Sequence, residues 1–162
     1  MIVLRTARAD DPRVLDCTRR YYRELAARLP DGFDPAHGGA VDDEALAPGR
    51  GVVVLAESSD SSESAGSAVG CGAVTFLDER VAEIKRVWVS GEARGAGLGS
   101  RIVARLEDEA VANGRWVIRL DTHARLTEAI ALYESEGYVR VAAYNENPYA
   151  QLWFEKLLAG RS

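Results

Sequence analysis

The sequence predicts one α/β domain over residues 1–162: a mixed sheet, antiparallel at its start, with one parallel crossover in its middle and helices on both sides. Three observations predict it. First, the runs 51–57 (GVVVLAE), 68–77 and 81–89 follow one another with no helical pattern between them, as in an antiparallel meander. Second, VWVSGEARGAGLGSR, beginning at Val87, carries a strand through Gly95, Gly97 and Gly99 into a helix, and the strand 116–121 follows. Strand, loop, helix, strand is a right-handed crossover, so those two strands are parallel. Third, one more helical stripe and two more strand patterns complete the chain, without an internal repeat.

Taken in order, residues 2–7 read as a strand. Asp10-Asp11-Pro12 then supplies a capping carboxylate and a proline suited to a first helical turn. Val14, Cys17, Tyr21, Leu25 and Leu29 recur at spacings of three and four, one apolar helical face that stops at Pro30-Asp31-Gly32. The next residues, to Gly51, are rich in glycine, proline and acid and read as a loop, with a short helical turn around 43–46 and a role as the lip of a binding site. SSDSSESAGS, at 58–67, reads as an exposed, mobile hairpin connection. After the glycine loop, Ile102, Val103, Leu106 and Ala110 mark a helix ending near Asn113-Gly114. Leu126, Ala129, Ile130 and Tyr133 mark another, stopped by Gly137, and residues 138–144 and 151–158 make two strands.

Composition narrows the function classes. Hydrophobic residues are 47% and charged residues 28% of the chain, and no run approaches the ~18 apolar residues of a membrane span. The first residues lack the pattern of a signal peptide, so the expected location is the cytoplasm. A net charge of -5 argues against a general nucleic-acid binder. Two cysteines and two histidines form neither a disulfide framework nor a set with zinc-ligand spacing, so no metal is expected.

The glycine loop is the chemical signal. Glycine permits close backbone approach, and a helix N-terminus presents unpaired N–H groups and partial positive charge to an anion. A Walker loop ends in G-K-[ST], whereas this one ends Gly97-Leu98-Gly99-Ser100 with no lysine. A dinucleotide fingerprint spaces its glycines differently and opens its fold, whereas this loop follows a meander. EIKRVWVSGEARGAGLGSRIV, from Glu83 to Val103, resembles instead the central motif of the GNAT family of N-acetyltransferases, R/Q-x-x-G-x-G/A after a strand, with Arg94, Gly97 and Gly99 in the signature positions. AIALYESEGY, from Ala129 to Tyr138, resembles that family's second motif. The strand order from Ile2 to Leu158 fits as well.

The resemblance implies a GNAT-like, mostly antiparallel sheet of six to seven strands and acetyl-CoA as acyl donor. It implies that backbone groups of Arg94, Gly95, Ala96, Gly97, Leu98, Gly99 and Ser100 hold the pyrophosphate, and that Val87, Trp88 and Val89 hold the pantetheine arm where the strand splays from its parallel neighbour. The amine acceptor must lose a proton, because an alkylammonium has no lone pair. Glu83 stands where many family members carry a glutamate acting through water, and alternation also sets it beside Lys85 as an ion pair. Tyr133 takes the family's tyrosine position as general acid for the coenzyme A thiolate, and its spacing from Ala129 equally suits a packed aromatic. The N–H of Val89 is the expected oxyanion donor. His123 is a second candidate base or substrate contact. Leu126 stands where many members have a cofactor-contacting asparagine, with Thr122 or Thr127 as replacements.

The resemblance places the acceptor against the first helix, the loop after it and the last two strands. Tyr21, Tyr22, Arg23, Glu24, Phe33, Tyr144, Asn145, Glu146 and Tyr149 are the candidates there. Acids would draw an amine and Arg23 a carboxylate, leaving polyamine, peptide and amino-acid acceptors open. The expected activity is N-acetyl transfer to a small molecule or peptide; the alternative is a non-catalytic acetyl-CoA sensor or interaction domain. No nucleic-acid or membrane partner is expected, and a homodimer is compatible with the apolar last strand.

Overall fold

A computed structural model describes residues 1–37, 44–59 and 67–158. Seven strands, β1 (Ile2–Ala7), β2 (Gly51–Ser58), β3 (Ser67–Phe76), β4 (Val81–Val89), β5 (Val117–Thr122), β6 (Val139–Val141) and β7 (Leu152–Leu157), form one sheet in the order β1-β2-β3-β4-β5-β7-β6. Every neighbouring pair is antiparallel except β4 and β5. The helices are α1 (Pro12–Arg28), α2 (Leu98–Ala112) and α3 (Thr127–Ser135), and short 3₁₀ turns lie at Pro35–His37, Glu44–Leu46 and Gly91–Ala93. Most of the serine-rich connection, and residue 43 of the expected helical turn, lie outside the described residues.

Local chemistry explains the elements. The Asp11 carboxylate accepts the Arg13 N–H at 2.9 Å, capping α1, with Pro12 in its first turn. Gly114 and Gly137, with φ of +83° and +93°, follow α2 and α3 closely and give the chain the left-handed residue that ends them.

The sheet separates two apolar cores. On one side α1 sets Val14 and Cys17 against Val53, Leu55, Cys71, Ala73 and Trp88. On the other, Ile102, Val103 and Leu106 of α2 and Tyr133 of α3 pack on Val54, Val74, Ala82, Ile84, Ile118, Leu120 and Phe154. Gly72 admits that second layer closely: a Cβ there would lie 2.8 Å from both Ile102 Cγ2 and Leu106 Cδ1.

Two departures from the expected elements matter for the site. The strand expected over 138–144 is only Val139–Val141 long, so Tyr144 and Asn145 sit in a connection that folds back over the sheet. In β4, alternation breaks at Arg86, which has φ of +59°, and the register against β3 shifts between Cys71 and Ala73. A non-glycine residue there costs on the order of 1–2 kcal/mol. The bulge changes which residues share a face. Ala82 and Ile84 lie on the α2 side together with Val87 and Val89, while Trp88 enters the α1 core.

Candidate active site

The parallel pair is short. β4 and β5 are matched only from Val81 with Val117 to Glu83 with Arg119, although β4 continues to Val89 and β5 to Thr122. Beyond Glu83 the two strands part, and the facing backbone edges have no ladder partner. A cavity of about 410 Å³ opens there, walled by β4, the glycine loop, the start of α2, the end of β5, α3 and the C-terminal half of α1.

At one end of this cavity the glycine loop meets α2. Gly95 and Gly97 have φ of +88° and +76°, and Gly97 is the N-cap of α2 without a side-chain cap bond. The first N–H groups of the helix therefore lack a side-chain acceptor, the condition under which a helix N-terminus binds an anion. Gly95, Gly97, Leu98, Gly99 and Ser100 line the cavity, and Ala96 does not. Gly99 also lets α2 approach α3, since a Cβ there would lie 3.1 Å from Leu132 Cδ2. Arg94 lines the cavity with its guanidinium already engaged: Nη2 lies 2.5 Å from Glu24 Oε1, and Nε donates to the Val89 carbonyl at 3.0 Å. Val87, Trp88 and Val89 all line it.

At the other end lies a cluster of charges that sequence reasoning found only in part. Glu83 has an 8% exposed side chain and does not itself line the cavity. Its carboxylate accepts the Tyr144 hydroxyl at 2.5 Å and a longer contact from Asn145 Nδ2 at 3.5 Å, and Lys85 Nζ stands 3.4 Å away. Lys85 also stands 3.7 Å from Asp121 Oδ2, and both Lys85 and Asp121 line the cavity. Asp121 accepts Asn145 Nδ2 at 2.7 Å and Asn147 Nδ2 at 3.1 Å. Asp121 is the residue sequence reasoning missed. It alternates with buried Leu120 and Thr122 near the end of β5, a carboxylate in a largely buried strand, and that was the available signal.

Tyr133 lines the same cavity, 6% exposed and packed edge-on against Tyr138. Burial, and then the nearby Asp121 charge, push its phenol well above the ordinary tyrosine value. Tyr21 of α1, expected in the core stripe, lines the cavity too, and burial with the neighbouring Tyr133 raises its phenol likewise. His123 lines the cavity, its Nδ1 accepting the Arg125 N–H at 3.0 Å, and burial followed by the Arg125 charge lowers its pKa. Of the positions weighed against the missing asparagine, Leu126 and Thr122 line the cavity and Thr127 does not.

The remaining acceptor candidates divide. Phe33 and Tyr149 line the cavity with ring centroids 4.7 Å apart, and the Asp34 N–H donates to the Tyr149 hydroxyl at 2.8 Å, so the loop after α1 and the connection before β7 close one wall together. Tyr22 supports Phe33 from behind, centroids 5.1 Å apart. Glu24 lines the cavity and holds Arg94, with Arg28 at 3.7 Å; Arg28 in turn reaches Glu128 of α3 at 2.7 Å. Tyr144 supports Glu83 rather than lining the cavity. Arg23 and Glu146 are exposed and lie off it.

The sheet parts beside a glycine-bordered helix start with no side-chain cap, an arrangement with room and N–H donors for an anionic, extended ligand. The chain belongs to the acetyltransferase (GNAT) family, whose model matches residues 16–138. It is 32% identical over 124 residues to an uncharacterized N-acetyltransferase of Schizosaccharomyces pombe, covering 72% of this chain and 73% of that one. It is 40% identical over 74 residues to an IAA acetyltransferase of Azospirillum brasilense, covering 45% of this chain and 48% of that relative, about half its length. The fold matches that of a GNAT family acetyltransferase from Elizabethkingia anophelis with acetyl-CoA bound, at a TM-score of 0.65 and 17% identity over 97% of this chain and 98% of that one.

Proposed function

We propose that this protein transfers the acetyl group of acetyl-CoA to a primary amine. The observation that carries the reading is the parting of β4 from β5 next to the uncapped start of α2, with a charged cluster at the far end of the same cavity. The pyrophosphate would lie on the N–H groups of 97–100, and the pantetheine arm would take the β4 edge at Val87–Val89 in place of a strand. Acetyl-CoA-bound relatives and the family itself support that donor.

In the reaction the neutral amine nitrogen attacks the thioester carbonyl and the C–S bond breaks. Glu83 takes the amine proton through one water, because it stands behind Lys85 and Asp121 rather than on the cavity wall. The Val89 N–H is the proposed donor to the developing oxyanion. Tyr133 meets the departing sulfur. Its phenol, like an ordinary tyrosine's, is protonated at pH 7, so a proton is available as thiolate charge develops.

Release of coenzyme A thiol from acetyl-CoA, followed over a panel of amines, tests the reading. Amine-dependent release supports it. Tight acetyl-CoA binding without release on any amine would instead favour a non-catalytic acetyl-CoA-binding domain.

A further inference from the structure

We infer that Asp121 anchors the acceptor's ammonium group and that the acceptor is a monoamine with an apolar or aromatic body and no carboxylate beside the nitrogen. This rests on the acetyl-transfer reading above and names the substrate class of that site.

Charge comes first. The buried cluster sets two carboxylates, Glu83 and Asp121, around one ammonium, Lys85, which leaves one net negative charge. Of the two carboxylates only Asp121 lines the cavity. Its side chain is 7% exposed and is held from behind by Asn145 and Asn147, so it is fixed in place yet open on the cavity side. A fixed, poorly hydrated carboxylate favours a cation and repels a second carboxylate. Tyr133, a residue 6% exposed, lines the same space.

Shape comes second. Leu25, Leu29, Phe33 and Tyr149 supply apolar wall to the same cavity, with the two rings in contact. Arg23 and Glu146 lie off the cavity, and the further charges that do line it are already engaged: Arg28 and Arg94 with Glu24, Arg28 also with Glu128, and Arg86 over the Tyr22 ring. A polyamine would bring further ammonium groups to apolar wall or to carboxylates already paired with arginine, and an amino acid would bring its carboxylate next to Asp121. A monoamine with a hydrocarbon body meets neither penalty.

Three probes separate these classes: 2-phenylethylamine, phenylalanine, which adds only the carboxylate, and spermidine. Coenzyme A release and direct calorimetric titration of each amine into the protein saturated with coenzyme A give two independent readouts. The expected result is a kcat/KM for 2-phenylethylamine at least tenfold above the other two, and a matching order of Kd. Asp121→Asn should raise the KM and Kd of 2-phenylethylamine tenfold or more while leaving the Kd of acetyl-CoA unchanged. Phe33→Ala, which leaves the charged cluster untouched, should raise them about threefold and guards against misfolding of the first variant. Equal handling of phenylalanine, or an unchanged amine Kd in Asp121→Asn, overturns the inference. Absence of turnover with all three amines overturns the acetyl-transfer reading instead, and the calorimetric order still decides the anchor.

Discussion

Replacing Glu83 by glutamine tests the base most directly, because it keeps the shape of the side chain and removes its charge. The amide oxygen can still accept from Tyr144, whose hydroxyl lies 2.5 Å from Oε2 in the native protein. Lys85 loses one of its two carboxylates and keeps Asp121 at 3.7 Å. Stripping a buried ion of its only partner costs about 3–5 kcal/mol. With Asp121 remaining, the expected loss is nearer ~1–2 kcal/mol, a fall in Tm of roughly 2–8 °C for a chain of this size. The effect on turnover should be larger. A positioned base contributes about 10²–10⁴-fold, so kcat should fall at least about 100-fold, equivalent to ~2.7 kcal/mol in the barrier. The KM for acetyl-CoA should stay within about twofold, since Glu83 does not line the cavity. The assay is thiol release at saturating amine, repeated from pH 6 to pH 9, with Tm measured on the same preparations. A kcat within threefold of the parent, at a temperature where the variant is folded, refutes the role given to Glu83.

Tyr133→Phe removes only a hydroxyl and should lower kcat about tenfold or more with an unchanged calorimetric Kd for acetyl-CoA; equal losses in both would make Tyr133 a packing residue. Gly97→Ala puts a Cβ into open space but at φ of +76°, so the penalty is conformational, on the order of 1–2 kcal/mol. Because the unliganded fold carries the same strain, it should lower Tm by roughly 2–8 °C, and a loop that relaxes out of the left-handed region loses acetyl-CoA affinity by at most the same free energy, a Kd rise of no more than about 5–30-fold by calorimetry. Glu57 offers a pH test of stability: burial raises its carboxyl, but the hydrogen bonds from Arg5 and Arg13 outweigh burial and hold it below the ordinary value. A depressed carboxyl stabilises the fold above its unfolded pKa, near 4.3, and that contribution is lost as pH falls through the folded value. Glu57→Gln should therefore lower Tm at pH 7 and flatten its decline between about pH 5 and pH 3; an unchanged decline would show that other carboxylates govern acid sensitivity.

Much of the fold was legible because it rests on local rules. The stripe from Val14 to Leu25, the cap at Asp11, the strands 2–7 and 81–89 and the glycine loop all stand where sequence spacing put them. Local spacing failed where the chain broke its own period. Strict alternation from Glu83 would set Val87 on the same face as Lys85, and the bulge at Arg86 turns it to the other. Residues 138–144 read as a strand, with Asn145 and Glu146 after it as acceptor contacts; in the fold the connection after Val141 delivers Tyr144 to Glu83 and Asn145 and Asn147 to Asp121.

The sequence by itself determined the order of elements, the class of ligand its glycine loop suits and the family to which the chain belongs, because capping, periodicity and motif spacing act over a few residues. Only the tertiary structure decided where β4 and β5 part, which carboxylate faces the cavity, and which charges are spent on one another. Arg94 on Glu24 and Lys85 on Asp121 are pairings across 70 and 36 positions of chain, whereas the Lys85–Glu83 pair, two residues apart, was legible from alternation. Whether such a charge meets solvent, a partner or a substrate depends on packing between strands and helices, and no local pattern in the sequence carries that information.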